Sequence, residues 1–248
     1  MSWSPEQYER FKSERKQPFL DLVSLIEKRS RMRIVDLGCG TGELTRELHE
    51  HFEAAETIGI DDSDTMLLKA GSFEGEMLRF EKGDIEAYIA DDPFDLVFSN
   101  AALHWVPDHE QLFTRLTRFL AADGQIAVQM PDNDDHPSHT VAARVASQFG
   151  IAPRPAYVLP TARYAELLHR LGYKHQHVRM QVYGHVLPST DDVVEWVRGA
   201  LLTYYETALS PEQYAEFLEA YRKELHGVLG DERPYFYTYK RVFVWGTF

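Results

Sequence analysis

The chain has 248 residues, 44% of them hydrophobic, enough for one large domain with a sizeable core and too apolar for a disordered chain. A formal net charge of −13 without a basic stripe speaks against a nucleic-acid partner, and the single cysteine excludes an intrachain disulfide or a thiolate metal cage. No apolar run reaches the length of a membrane span, and the first six residues lack the basic and apolar segments of a signal peptide, so the expectation is a cytoplasmic protein with no membrane partner.

In chain order, Ser4-Pro5-Glu6-Gln7 predicts a helix start, with Ser as N-cap and Pro at the first position. Pro18 is expected to break that helix, and Phe19, Leu22, Val23 and Ile26 mark a second. Ile34-Val35 then leads into Asp36-Leu37-Gly38-Cys39-Gly40-Thr41-Gly42, a turn with glycine at every second position. Leu44, Leu48 and Phe52 follow at a spacing of four, one face of a helix. Strand, glycine turn and helix form the first half of a βαβ unit, whose ligands sit beyond the strand ends beside a helix N-terminus.

The spacing is neither a dinucleotide fingerprint, because Glu43 stands where the last glycine belongs, nor a Walker A loop. Asp36 sets a carboxylate beside the turn, which would repel a pyrophosphate and hold an ammonium, so the loop suits a cationic nucleoside. Thr57 to Ile60 predicts a second strand ending on Asp61, twenty-three residues after Gly38, where a ribose-binding acid belongs. Ser63 caps a helix bearing Met66, Leu67 and Ala70; Leu78 to Phe80 is a third strand, Phe94 to Asn100 a fourth, and His109 to Ala121 a helix turning at Asp123-Gly124 into a fifth strand. Helices are expected near Val141 to Phe149 and Tyr164 to Leu171, separated by a loop with three prolines. Tyr173 to Val186 and Phe236 to Trp245 read as the last strands, with roughly fifty residues between them, far beyond a hairpin loop of ~2–5. That insert predicts one helix over Val193 to Tyr204 and another from the capping box Ser210-Pro211-Glu212-Gln213 to Gly230.

The segment Asp36 to Gly42 resembles motif I of the class I S-adenosylmethionine-dependent methyltransferases, and Phe94 to Asn100 and Gly124 to Met130 resemble that family's fourth- and fifth-strand motifs. The resemblance implies an α/β fold, a three-layer Rossmann-like sheet with an N-terminal helical cap and a helical lid inserted before the last strand. One domain would span 1–248: cap 1–30, core 31–188 and 232–248, lid 189–231. It implies S-adenosyl-L-methionine as cofactor, held by Gly38, Gly40 and Gly42 with Asp36, by Asp61 and Asp62 at the ribose, by Asp84 and Ile85 at the adenine, and by Asn100. Met66 is a core residue or lies against the adenine; Arg15 meets the methionine carboxylate or is solvated.

Within that family, Trp3-Ser4-Pro5 with Tyr8, Phe11, Glu14, Arg15 and Pro18 is similar to the N-terminal signature of trans-aconitate 2-methyltransferases. Ser99 to His109 resembles the segment after strand four of those enzymes, Gln129-Met130-Pro131-Asp132-Asn133 the segment after strand five, and Val194-Glu195-Trp196-Val197 the start of their lid. The acceptor implied is a small-molecule carboxylate, best matched by trans-aconitate and methylated to an ester; another acceptor, methylated at O or N, and a non-catalytic S-adenosylmethionine-binding domain are the alternatives. Where the family shows a Gly-Leu-Arg-Pro segment, this chain has Arg198-Gly199-Ala200-Leu201, so either Arg198 serves as the lid anchor for the carboxylate or the acceptor carries fewer carboxylates. Such an acceptor is ionised at neutral pH and needs no general base, only alignment and exclusion of water. His104, Trp105, Gln129 and Arg198 are the acceptor-side candidates. His104 is a donor to a carboxylate, a base for a hydroxyl or amine, or a residue packed beside Trp105. His136 and His139 lack a metal-binding pattern, and no metal is expected.

Overall fold

The computed structural model describes residues 12–248, with side chains from Lys16 onward. The helix start expected at Ser4 and the side chain of Arg15 lie outside the described residues.

Strand β1 (Arg33–Leu37) is buried along Ile34 to Leu37, the pattern of a parallel strand covered on both faces. It pairs in parallel with β2 (Glu56–Asp61) on one side and β4 (Phe94–Asn100) on the other. β3 (Leu78–Lys82) extends the sheet beyond β2, and β5 (Leu120–Pro131) lies beside β4. β7 (Tyr235–Thr247) runs antiparallel to β5, and β6 (His175–Leu187) closes the edge, giving a seven-stranded order β3-β2-β1-β4-β5-β7-β6. The order reverses between β1 and β4, which places the ligand crevice beyond the carboxyl ends of those strands. This is the α/β class I methyltransferase sheet expected from the sequence, and its last strand is antiparallel.

The helices are α1 (Lys12–Val23), α2 (Glu43–Phe52), α3 (Asp64–Ala70), α4 (His109–Thr117), α5 (Pro137–Gln148), α6 (Thr161–Arg170), α7 (Asp191–Arg198), α8 (Leu201–Ala208) and α9 (Pro211–Leu229). Three differ from expectation. α1 passes through Pro18, because a cost of ~3 kcal/mol for an interior proline is outweighed by burying Phe19, Leu22 and Val23 at ~1.5–3 kcal/mol each. α4 stops at Thr117: Leu120 already pairs with Phe94 in the sheet, and Asp123-Gly124 fall in a bulge within β5 before pairing resumes at Gln125. The single helix expected over Val193 to Tyr204 is two, α7 and α8, interrupted at Gly199-Ala200, where glycine is a poor helix former.

The chain forms two compact units. One comprises Gln17–Pro131, Tyr157–Gln181 and Arg241–Phe248. Its core is the sheet residues Val35, Leu37, Ile58, Val97 and Val128 packed with Phe113 of α4 and Tyr164 of α6. The other includes Asp132–Ala156 and Val182–Lys240. Its core joins Val145 of α5, Val194 of α7, Tyr205 of α8 and Phe217 and Tyr221 of α9, with the last two rings parallel at 6.2 Å. Ser210 and Gln213 form the expected capping box at the start of α9.

Candidate active site

The three loop glycines all have positive φ, 80°, 55° and 78° at Gly38, Gly40 and Gly42, where L side chains are strained. Their surroundings differ. A Cβ on Gly38 would lie 2.1 Å from Ala102 Cβ, so this glycine lets the turn after β1 press against the turn after β4. A Cβ on Gly42 would meet Phe80 and Ala70 at 2.7 to 2.9 Å, which serves packing of α2 onto the sheet. A Cβ on Gly40 would meet nothing within 4 Å, so this glycine faces open space.

The loop is tied to the end of β2. The N–H groups of Gly38 and Cys39 donate to the Ile60 carbonyl at 2.8 and 3.0 Å, and Gly40 donates to Asp61 Oδ2 at 2.9 Å. Asp61 Oδ1 accepts from the Ser63 N–H at 3.0 Å. Burial raises the Asp61 pKa, opposed by these N–H donors. Asp36 is buried, and its Oδ2 accepts from Thr45 Oγ1 at 2.6 Å. Burial lifts its pKa to about 7 against the Thr45 hydrogen bond, and the charge of Asp61 adds to the rise. Asp61 is thus hydrogen-bonded to the glycine loop, and Asp36 is buried at the loop's start. Cys39 is also buried, and burial followed by the two carboxylates drives its pKa up, so it stays a thiol.

Asp62 is exposed, and Met66 is buried at the start of α3, which Ser63 caps. Asp84 is exposed and caps its own loop by accepting from the Glu86 N–H at 2.8 Å. Ile85 Cδ1 lies 3.7 Å from the point a Gly38 Cβ would occupy, so the loops after β1, β3 and β4 converge there. Arg115 of α4 holds the Ile85 loop by donating to the carbonyls of Ile85 and Tyr88.

Asn100 and Gln129 are Cα partners at the ends of β4 and β5. Asn100 Oδ1 is buried and has no hydrogen-bond partner among the described residues. Gln129 is fully buried; its Oε1 accepts from Arg241 Nη1 at 2.9 Å, and its Nε2 has no partner among the described residues. A guanidinium only donates, so this contact fixes the amide with oxygen toward Arg241 and nitrogen away from it.

His104 and Trp105 sit half-buried on a short turn after β4, with ring centres 4.8 Å apart. His109 bonds the Leu103 carbonyl and the Tyr164 hydroxyl, and burial lowers its pKa, which makes it a neutral support for that turn. Arg198 lies at the end of α7 in the other unit and faces Glu195 at 3.6 Å. His136 and His139 both contact the Ser138 hydroxyl, and burial pushes them down to about 4 and about 3, so they are neutral. Among the described residues no three His, Cys, Asp or Glu side chains gather as a metal site. The sequence reading passed over Thr45 and Arg241. Arg241 had a signal, a charged residue inside the aromatic and β-branched run of β7.

The Methyltransferase domain family matches residues 28–164. A protein of Deinococcus radiodurans named trans-aconitate 2-methyltransferase is 42% identical, covering 98% of this chain and 96% of its own. A protein of the same name from Variovorax paradoxus is 36% identical, covering 91% and 89%. The chain belongs to the S-adenosylmethionine-dependent methyltransferase family. Among solved structures, the YcgJ protein of a Bacillus superposes on this methyltransferase with a TM-score of 0.62 at 18% identity, covering 94% of this chain and 98% of that one, a likeness of fold.

The methyl donor of this methyltransferase is S-adenosyl-L-methionine. The site's chemistry fits it: the open face of Gly40 admits a ligand against the backbone, Asp61 offers carboxylate lone pairs, and Asn100 Oδ1 is a buried acceptor in want of a donor. These are acceptors, suited to the hydroxyls and amines of a nucleoside amino acid. Among the described residues no helix is long and apolar enough to cross a membrane.

Proposed function

We propose that this methyltransferase esterifies a carboxylate of a small organic acid, with trans-aconitate as acceptor. Two relatives similar over most of the chain carry that substrate in their names. The observation that carries the reading is Gln129. What it offers a ligand at the end of β5 is a buried amide donor, backed by the Arg241 guanidinium on its oxygen. A donor backed by a cation suits an anionic oxygen.

Bound S-adenosylmethionine supplies an electrophilic methyl group, which passes to the carboxylate oxygen as the carbon–sulfur bond breaks and its electron pair returns to sulfur. In this proposal Asp61, with Asp62 beside it, takes the ribose hydroxyls, and Asp84, Ile85 and Met66 frame the adenine. Asp36 and the glycine loop answer the positive charge, Asn100 accepts from the amino-acid portion, and Arg15 keeps its expected role at the methionine carboxylate. Gln129 orients the reacting carboxylate, and His104 with Trp105 shields it from water. No side chain needs to take a proton, because the acceptor arrives ionised.

Incubation with radiolabelled methyl donor and a panel of mono-, di- and tricarboxylic acids tests this. The expected product from trans-aconitate loses its label in mild base, as an ester does; a base-stable product, or no labelling of any acid, removes the reading. The sequence-based role of Arg198 is tested separately: Arg198→Ala is expected to raise the acceptor KM by about tenfold, worth ~1.4 kcal/mol, with cofactor affinity unchanged. An unchanged KM takes Arg198 out of the site.

A further inference from the structure

We propose that Arg179, with Arg241 beside it, forms the subsite that binds a non-reacting carboxylate of the acceptor next to the reacting one oriented by Gln129, and so sets a preference for polycarboxylic over monocarboxylic acids. This rests on the carboxylate reading given above.

Register places these side chains on one face of the sheet. Gln129 lies opposite Phe243 across the antiparallel β5–β7 pair, so both leave the sheet on the same side. Arg241, two residues before Phe243, shares that side and reaches Gln129 Oε1 at 2.9 Å. On β6, Arg179 sets its guanidinium 5.1 Å from the centre of the Phe243 ring. Asn100, the partner of Gln129 in the parallel β4–β5 pair, is on this face too. A polar row therefore crosses neighbouring strands, from Asn100 on the cofactor side to Arg179.

Among the described residues Arg179 has no counter-ion. Its Nε is buried without a hydrogen-bond partner, and the side chain makes no ion pair among the described residues. A carboxylate is close along the chain's packing: Asp21 of α1 accepts from Gln181, two residues further on β6, at 3.0 Å. Its other oxygen accepts from Gln17 at 2.8 Å. A guanidinium fixed on an aromatic face with an unused N–H, in a protein of net charge −13, is a local anion trap against an unfavourable overall field.

The test is steady-state kinetics of full-length wild type, Arg179→Gln and Arg179→Lys on trans-aconitate and on a monocarboxylate of similar chain length. S-adenosylhomocysteine affinity by calorimetry and thermal melting are measured alongside. The subsite predicts that Arg179→Gln raises the trans-aconitate KM tenfold or more, leaves the monocarboxylate KM within about twofold, and leaves nucleoside affinity and melting unchanged. Arg179→Lys, which keeps the charge without the fork, should recover part of the loss. Equal KM changes for both acids, or none, overturn the subsite while the carboxylate reading stands. If wild type methylates no carboxylic acid at all, both fall. Should Arg179→Gln fail to fold, the ratio of the two KM values in Arg179→Lys decides.

Discussion

Gly40→Ala is expected to abolish S-adenosylmethionine binding while the protein still folds, and Gly38→Ala is expected to do the opposite kind of damage. The added methyl at Gly40 enters open space, and its fold cost is only the left-handed backbone, about 1–2 kcal/mol. That methyl would stand where the proposed ligand approaches the backbone, so affinity should drop at least a hundredfold, about 2.7 kcal/mol. At Gly38 the same methyl collides with Ala102 Cβ at 2.1 Å in addition to the left-handed cost. Relief requires the β1 and β4 turns to separate, an overpacking cost of roughly 1–3 kcal/mol more. For a chain of this size the two penalties together, roughly 2–5 kcal/mol, lower Tm by roughly 4–20 °C. Calorimetric titration and thermal melting of both variants check the contrast. Retained cofactor binding in a folded Gly40→Ala protein would show that the open face of the loop is not the nucleoside's seat.

The contrast between these glycines also explains what could be read from the sequence. The loop is local: alternating glycines, Asp36 and the acid ending β2 are close in the chain or at a fixed βαβ interval, and the structure ties them through Gly40 N–H to Asp61. The Rossmann-like sheet, too, was implied by the resemblance that the strand motifs carry. What escaped depends on pairing between distant strands. Gln129 was visible as a polar residue after an apolar strand, yet the orientation of its amide is set by Arg241, 112 positions away, through the β5–β7 register. Arg179 had even less signal, since polar residues run through most of β6, and only its seat on Phe243 distinguishes it. Pro18 misled for the converse reason: its local rule is sound, but the burial that overrides it comes from the sheet, through contacts such as Phe19 on Phe98. At Gly199 a local signal was underweighted, because the apolar spacing on both sides suits one continuous helix face.

Asp36→Asn is expected to stabilise the ligand-free protein in a pH-dependent way and to weaken cofactor binding. Buried Asp36 has its pKa lifted from 3.8 to about 7. Between those values the folded chain keeps a proton that the unfolded chain has released, so stability falls as pH rises through this window and levels off above 7. The full penalty is on the order of 4 kcal/mol at pH 8 and roughly 2 kcal/mol at pH 5. Asparagine removes it and can still accept from Thr45 Oγ1. Denaturant melts of the ligand-free proteins should therefore show a gain for the variant that grows by ~2–3 kcal/mol from pH 5 to pH 8; a gain independent of pH, or none, refutes the account. The cofactor reverses the sign. In the proposed site a sulfonium and an ammonium nearby would favour the ionised carboxylate, so wild-type affinity should climb with pH toward 7 while the variant's stays flat, and the two should diverge more than tenfold by pH 8. A group whose charge costs the empty fold and is repaid only when a cation arrives belongs to binding rather than to folding, which is why the same substitution is expected to improve one and damage the other.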